Sequence, residues 1–109
     1  LYLFDWPHAG IGPAEFDLAA FAQSVSVEGG PEPESLTGWY AEGAPVRGDV
    51  LDAAVAALAG FFADAAWQPD ITGLPRLRAF QRAQFKVSLR WAARRLHLPA
   101  PDWIASISS

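Results

Sequence analysis

Apolar residues recur at helical spacing in four stretches of this chain. The clearest apolar stripe, in the third stretch, consists of Leu51, Val55, Leu58, Phe62 and Ala65. Steps of three and four residues place such side chains on one face of an α-helix. Glycine and proline interrupt the pattern between the stretches. The pattern therefore predicts four helices, at about Ala14 to Val25, Glu34 to Ala41, Val50 to Ala66 and Pro75 to Leu96.

Three residues mark where these helices should begin. Pro13 suits the first turn of the first helix, because the N–H that proline lacks would have no partner there. Asp49 is expected to cap the third helix, and Pro75 to open the fourth. In the tail that follows, Asp102 to Ser109, we expect Trp103 and Ile104 to dock on the helices.

The chain opens with a different pattern, the unbroken apolar run Leu1 to Phe4. We interpret this run as a short β-strand that delivers Asp5 into a loop, with no turn or capping signal before it. A lone strand leaves its edge hydrogen-bonding groups unpaired, so the strand requires partners from another part of a longer chain. The predicted fold class is mainly α: a strand remnant and loop at residues 1–13, followed by one helical domain at residues 14–109.

Composition narrows the function classes. The 109 residues suit one domain, and none is cysteine, which excludes disulfides, thiolate metal sites and a cysteine nucleophile. No apolar run approaches the roughly 18 residues of a membrane span, so we expect no membrane partner and a cytoplasmic protein. Hydrophobic residues make up 51% of the chain and charged residues 18%. This balance fits either a surface that meets a missing lobe or a simple alanine bias.

Charge is distributed unevenly along the chain. Residues 1–75 carry eleven acids and one base, whereas residues 76–109 carry seven bases and one acid. Five of these bases recur every fourth residue, at Arg78, Arg82, Lys86, Arg90 and Arg94. Each step turns the side chain by only about 40° around a helix, which makes a slowly drifting stripe. The stripe could bind nucleic acid phosphates, but we favour pairing with the acidic half or exposure to solvent.

The segment between Asp5 and Ala19 carries the most specific pattern in the chain. It reads Asp-Trp, five residues, Gly-Pro, three residues, Asp-Leu-Ala. This pattern resembles the corresponding region of the aminoglycoside phosphotransferase and choline kinase-like family, distant relatives of protein kinases. The resemblance implies that Asp5 binds the Mg²⁺ that bridges the ATP phosphates. It also implies that Asp17, at the head of the next helix, is a structural clamp for the catalytic loop.

The same resemblance implies what the helices do and what must lie upstream. The chain would be the helical C-terminal subdomain of a protein-kinase-like fold and would form a wall of the pocket that binds a small-molecule acceptor. An HGDxxxxN-like loop with the catalytic base and a glycine-rich phosphate loop are absent from this sequence. In the family they precede the position of Asp5, so this chain alone should be catalytically inert and should need the missing N-terminal lobe. Pro7 and His8 depart from the family pattern, which often has a small or acidic residue there.

The expected activity is ATP-dependent transfer of phosphate to a hydroxyl of an aminoglycoside-like or amino-alcohol-like molecule. Trp39 and Tyr40 are candidates for the acceptor pocket, since aromatic rings can stack on or attract a cationic acceptor. Aromatic residues at helical positions are more often core residues, which is the alternative for this pair. The alternative for the whole chain is a non-catalytic helical interaction module or a degenerate kinase that binds a protein or nucleic acid.

Overall fold

The fold is known from a computed structural model that describes residues 14–107. These residues form four α-helices followed by a short 3₁₀-helix, and they include no β-strand apart from an isolated bridge between Ile71 and Leu74. The helices are α1 (Ala14–Val27), α2 (Pro33–Gly43), α3 (Gly48–Ala65) and α4 (Leu77–Arg95), and the 3₁₀-helix is Asp102–Ser106. The prediction of a mainly α fold is confirmed. The predicted strand at Leu1 to Phe4 and the loop with Asp5 lie outside the described residues.

Two helices end in backbone hydrogen bonds that the sequence pattern did not predict. At the end of α1, Gly29 donates to the carbonyl of Ser26 (3.1 Å) and Gly30 to that of Val25 (2.9 Å). Gly29 has φ 97°, a conformation that glycine adopts without a steric penalty, and this pair of bonds is a Schellman motif. The same motif ends α4, where His97 has φ 57°. α1 ends at Val27, two residues past the predicted end at Val25.

The predicted helix starts are corrected at two places. α3 begins at Gly48 with Arg47 as its N-cap, so Asp49 lies inside the first turn and does not cap the helix. Its acidic side chain is still favourably placed, because the N-terminal end of a helix carries partial positive charge. Pro75 does not open α4, which begins at Leu77; instead the chain before it forms turns.

α3 lies at the centre of the core, between α1 and α4. The stripe predicted along it is buried over most of its length, with Val55 fully buried and Leu51 nearly so. α1 contributes small side chains, Ala19 and Ala22, which allow its backbone to approach closely. α4 contributes Phe85, Trp91 and Ala92 to the same cluster. Beside this stripe on α3, Ala54 is buried, whereas Ala57 and Phe61 are exposed.

The tail docks on α4, as the sequence predicted. Ile104 is buried, and the ring of Trp103 stacks on Phe85 with 6.3 Å between ring centroids. Lys86 Nζ donates a hydrogen bond to the carbonyl of Ile107 (3.1 Å), which holds the end of the tail. Within residues 14–107, none of the helices combines the length and the apolar character that crossing a membrane requires.

Two adjacent phenylalanines test the burial of the α3 stripe. Phe62 is 6% exposed, whereas Phe61 is 59% exposed. We expect Phe62→Ala to lower the free energy of unfolding by about 3–5 kcal/mol, because it leaves a cavity between α3 and its neighbours. The matched control, Phe61→Ala, should cost under about 1 kcal/mol. Urea denaturation of both variants checks the difference, and equal losses would contradict the assigned orientation of α3.

Candidate functional site

Asp17 lies in the first turn of α1, where the sequence placed it. Its side chain is half-buried, and the two residues after it, Leu18 and Ala19, are packed in the core. Core packing of its neighbours therefore fixes the position of this carboxylate relative to the helix bundle. Within residues 14–107 it has no hydrogen-bond or ion-pair partner. Asp5 and Trp6 lie outside the described residues, so the arrangement of Asp5 and Asp17 stays a prediction.

Glu15, for which the sequence pattern indicated no role, holds the start of α1 against the loop that precedes α3. Its side chain is buried, and Oε2 accepts a hydrogen bond from the backbone N–H of Arg47 at 2.9 Å. The Arg47 guanidinium lies on the exposed side, with Nε 3.7 Å from the same oxygen. The hydrogen bond from the Arg47 backbone lowers the pKa of Glu15, with help from its own backbone N–H and the Arg47 charge and against the effect of burial.

A second polar cluster joins α2, α3 and α4. Arg95 donates from Nε to Asp52 Oδ1 (2.5 Å) and from an η nitrogen to Glu34 Oε2 (2.8 Å). The indole N–H of Trp91, whose side chain is fully buried, donates to the same Glu34 carboxylate. We call Glu34, Asp52, Trp91 and Arg95 the polar clasp.

The side chains of the polar clasp form their hydrogen bonds with one another. Burial tends to lower the pKa of Arg95, but the hydrogen bonds to Glu34 and Asp52 outweigh burial and raise it. Arg95 therefore stays charged, and its donors point at carboxylates of the same chain. Such an arrangement fixes three helices relative to one another, and it offers no free nucleophile or base. Over residues 14–107, no group of three or more histidine, aspartate or glutamate side chains is arranged to hold a metal ion.

The aromatic candidates Trp39 and Tyr40 lie on the surface of α2. Trp39 is 58% exposed and Tyr40 is 44% exposed, so the alternative reading of them as core residues is wrong. An open apolar depression exists elsewhere, at the start of α4, and is lined by Gly73, Leu74, Pro75, Arg76, Leu77 and Phe80. Trp39 and Tyr40 are not part of its lining. The pair therefore offers open aromatic faces on a helix surface.

The basic stripe of α4 is largely occupied by contacts inside the chain. Arg78 donates to the carbonyls of Ala65 (3.1 Å) and Pro69 (2.9 Å), and Arg82 donates to that of Ala66 (3.4 Å). These cations thus satisfy carbonyls at and just beyond the end of α3, which has partial negative charge.

The stripe turns away from the core along α4, as its drift of about 40° per step requires. Its first three members are half-buried, and Lys86 holds the tail. Arg90 and Arg94 are exposed, and Arg94 pairs with Glu32 at 3.1 Å. The expectation of pairing with the acidic half or exposure to solvent is therefore confirmed for Arg94 and Arg90, whereas Arg78, Arg82 and Lys86 donate hydrogen bonds to backbone carbonyls. The cations do not form one continuous exposed face for nucleic acid.

No protein-family model matches the chain, and no match was found among curated proteins or among solved structures. The kinase-like resemblance in the segment from Asp5 to Ala19 therefore stays a prediction.

The pKa of Glu15 predicts how stability changes with pH. Because folding lowers this pKa, the ionised carboxylate stabilises the folded state above the ordinary glutamate value of roughly 4.3, and this stabilisation is lost as pH falls through the lowered folded value. Glu15→Gln keeps an acceptor for the Arg47 N–H but has no charge to lose. We expect the variant to be less stable than wild type at pH 7, with the difference narrowing below about pH 4. Urea midpoints of both proteins at pH 7 and pH 3.5 measure this, and a difference independent of pH would contradict the role of Glu15.

The contacts of Arg78 with the end of α3 can be tested by a pair of variants. Arg78→Ala leaves the carbonyls of Ala65 and Pro69 without this partner, and we expect a loss of about 1–3 kcal/mol in the free energy of unfolding. Arg90→Ala removes the same charge from an exposed position on the same helix and should stay within about 0.5 kcal/mol of wild type. Chemical denaturation compares the two, and equal effects would show that charge alone matters.

Proposed function

We propose that this chain is the C-terminal part of an ATP-dependent phosphotransferase, which transfers the γ-phosphate to a hydroxyl of a small molecule. The observation that carries the proposal is the pattern from Asp5 to Ala19. Its second half is supported by the position of Asp17 in the first turn of α1, with Leu18 and Ala19 anchored in the core. A clamp for a catalytic loop needs such a fixed carboxylate at a helix start. The mainly helical domain also suits the pocket-forming subdomain of a kinase-like protein.

The chemistry assigned to this chain is positioning. In the reaction, the acceptor hydroxyl oxygen forms a bond to the γ-phosphorus, the bond from that phosphorus to the β–γ bridging oxygen breaks, and ADP leaves. The hydroxyl proton passes to a base in the upstream part of the protein. Asp5 is the residue of this chain that would hold Mg²⁺, since a carboxylate is a ligand that this ion prefers. Mg²⁺ supplies charge neutralisation on the phosphates.

The acceptor in this proposal is aminoglycoside-like or amino-alcohol-like. Trp39 and Tyr40 present exposed rings, and a ring face attracts an ammonium group. Glu42, on the same helix, adds negative charge and is exposed as well. These residues are candidates for binding the part of the acceptor that does not react.

The second candidate function is a non-catalytic interaction module or a degenerate kinase. The exposure of Trp39 and Tyr40 favours this alternative, because exposed aromatic residues are common in surfaces that bind other proteins. Nucleic acid is the weaker partner for such a module, since most of the basic stripe donates to carbonyls of its own chain.

Asp5→Ala in the full-length protein tests the phosphotransferase proposal. We expect transfer from ATP to fall by roughly 10³-fold or more, because losing the metal ligand removes several kcal/mol of charge stabilisation. The control, Asp70→Ala, removes an exposed acid between α3 and α4 and should keep full activity.

The measurement is ADP formation with ATP, Mg²⁺ and a panel of amino-alcohol and aminoglycoside acceptors, with mass spectrometry of the products. A mass gain of one phosphoryl group on an acceptor would support the proposal. Undiminished turnover by Asp5→Ala would overturn the role of Asp5. If the full-length protein does not bind ATP, the phosphotransferase proposal is wrong, and the non-catalytic interaction module remains as the proposed function.

A further inference from the structure

α2 is weakly attached to the rest of the domain by apolar contacts. Eight of its eleven residues are exposed, and only Pro33 and Thr37 are buried, with Leu36 packed partly against the core. By comparison, six residues of α3 are buried. Apolar burial is the main force that holds a helix in a protein, so α2 depends on other contacts.

The sequence of α2 does not favour a helix either. Gly38 lies in its interior, and Thr37 is β-branched. Glycine in a helix interior costs about 1 kcal/mol relative to alanine, and helices shorter than about 12 residues are marginal in water. The conformation of α2 must therefore be maintained by tertiary contacts.

Apart from Leu36 and Val46, which pack partly against the core, those contacts are polar and lie at the two ends of the segment that contains α2. At its beginning, Glu34 accepts hydrogen bonds from both Trp91 and Arg95 of α4. At its end, the Arg47 backbone N–H donates to Glu15 of α1. Residues 38–43 of α2, which include Trp39, are exposed. The chain reaches α2 after Gly29 and Gly30, whose N–H groups end α1, and after Glu32, which forms an exposed ion pair with Arg94.

We propose that the segment from residue 31 to residue 46 opens and closes as a unit on the three-helix body of α1, α3 and α4, and that Glu34 is its latch. Opening breaks the polar clasp at Glu34 and leaves Arg95 with Asp52, so the α3–α4 contact persists. It bares the indole N–H of Trp91 and moves the aromatic pair Trp39 and Tyr40 with α2. Opening also breaks the partial packing of Leu36 and Val46 on the core, which is a smaller apolar contact than the buried stripe of α3, as expected for a local opening. This inference does not depend on the phosphotransferase proposal.

The test is amide hydrogen exchange, followed by mass spectrometry on the full-length protein and two variants. In the wild type, amides of α2 should exchange at least about 100-fold faster than those in the centre of α3. In Glu34→Gln, exchange in α2 should accelerate by about 10- to 100-fold, the change expected from weakening a charged hydrogen bond, with α3 unchanged. The matched control Glu32→Gln carries the same substitution two residues away, in an exposed pair with Arg94, and should change exchange less than about 3-fold.

Each outcome decides the inference. Selective acceleration in α2 by Glu34→Gln, and not by Glu32→Gln, supports the latch. Equal acceleration in α2 and α3 would show that the clasp belongs to the global fold and would overturn the proposal, as would no change in either helix. If Glu34→Gln does not fold, the wild type still decides, because equal protection of α2 and α3 is incompatible with separate opening.

Discussion

Burial of the α3 stripe between α1 and α4 is the constraint on which the rest of this domain depends. Leu51, Val55 and Phe62 belong to one buried cluster with side chains of α1 and α4, and Val55 is fully buried. A helix that is covered on two sides needs neighbouring helices of compatible length. It also needs small side chains where the backbones approach each other, and Ala19 and Ala22 of α1 are such side chains. The position of Asp17 follows from this packing, since the residues directly after it are part of the core.

Polar contacts then complete what apolar packing begins. Trp91 adds a large buried ring to the core, but its N–H must have an acceptor, and Glu34 supplies one from α2. Arg95 shares that carboxylate and also reaches Asp52, so one charged group relates three helices. Pairs of this kind specify relative orientation more than they add stability, because desolvation offsets much of their attraction.

The sequence predicts the parts of this fold that depend on local pattern. The period of apolar residues locates four helices, and the 40° drift explains why Arg78 is half-buried whereas Arg90 is exposed. It does not predict contacts between residues far apart in the chain. Glu15 and Arg47 are 32 residues apart, and Glu34 and Trp91 are 57 apart, so no local spacing indicates either pair. For the candidate site, the sequence places Asp17 in the first turn of α1, but the exposure of Trp39 depends on how α2 packs.

The way α3 ends has a consequence for the connection between α3 and α4. Because guanidinium groups of α4 bind the last carbonyls of α3, the two helices are joined through space as well as through the intervening chain. The middle of that connection, around Thr72 and Gly73, is exposed and contributes nothing to this junction. A backbone break there would leave the end of α3 bound by Arg78 and Arg82 of α4. The domain thus offers a place where new termini could be introduced while the helix pair keeps its alignment.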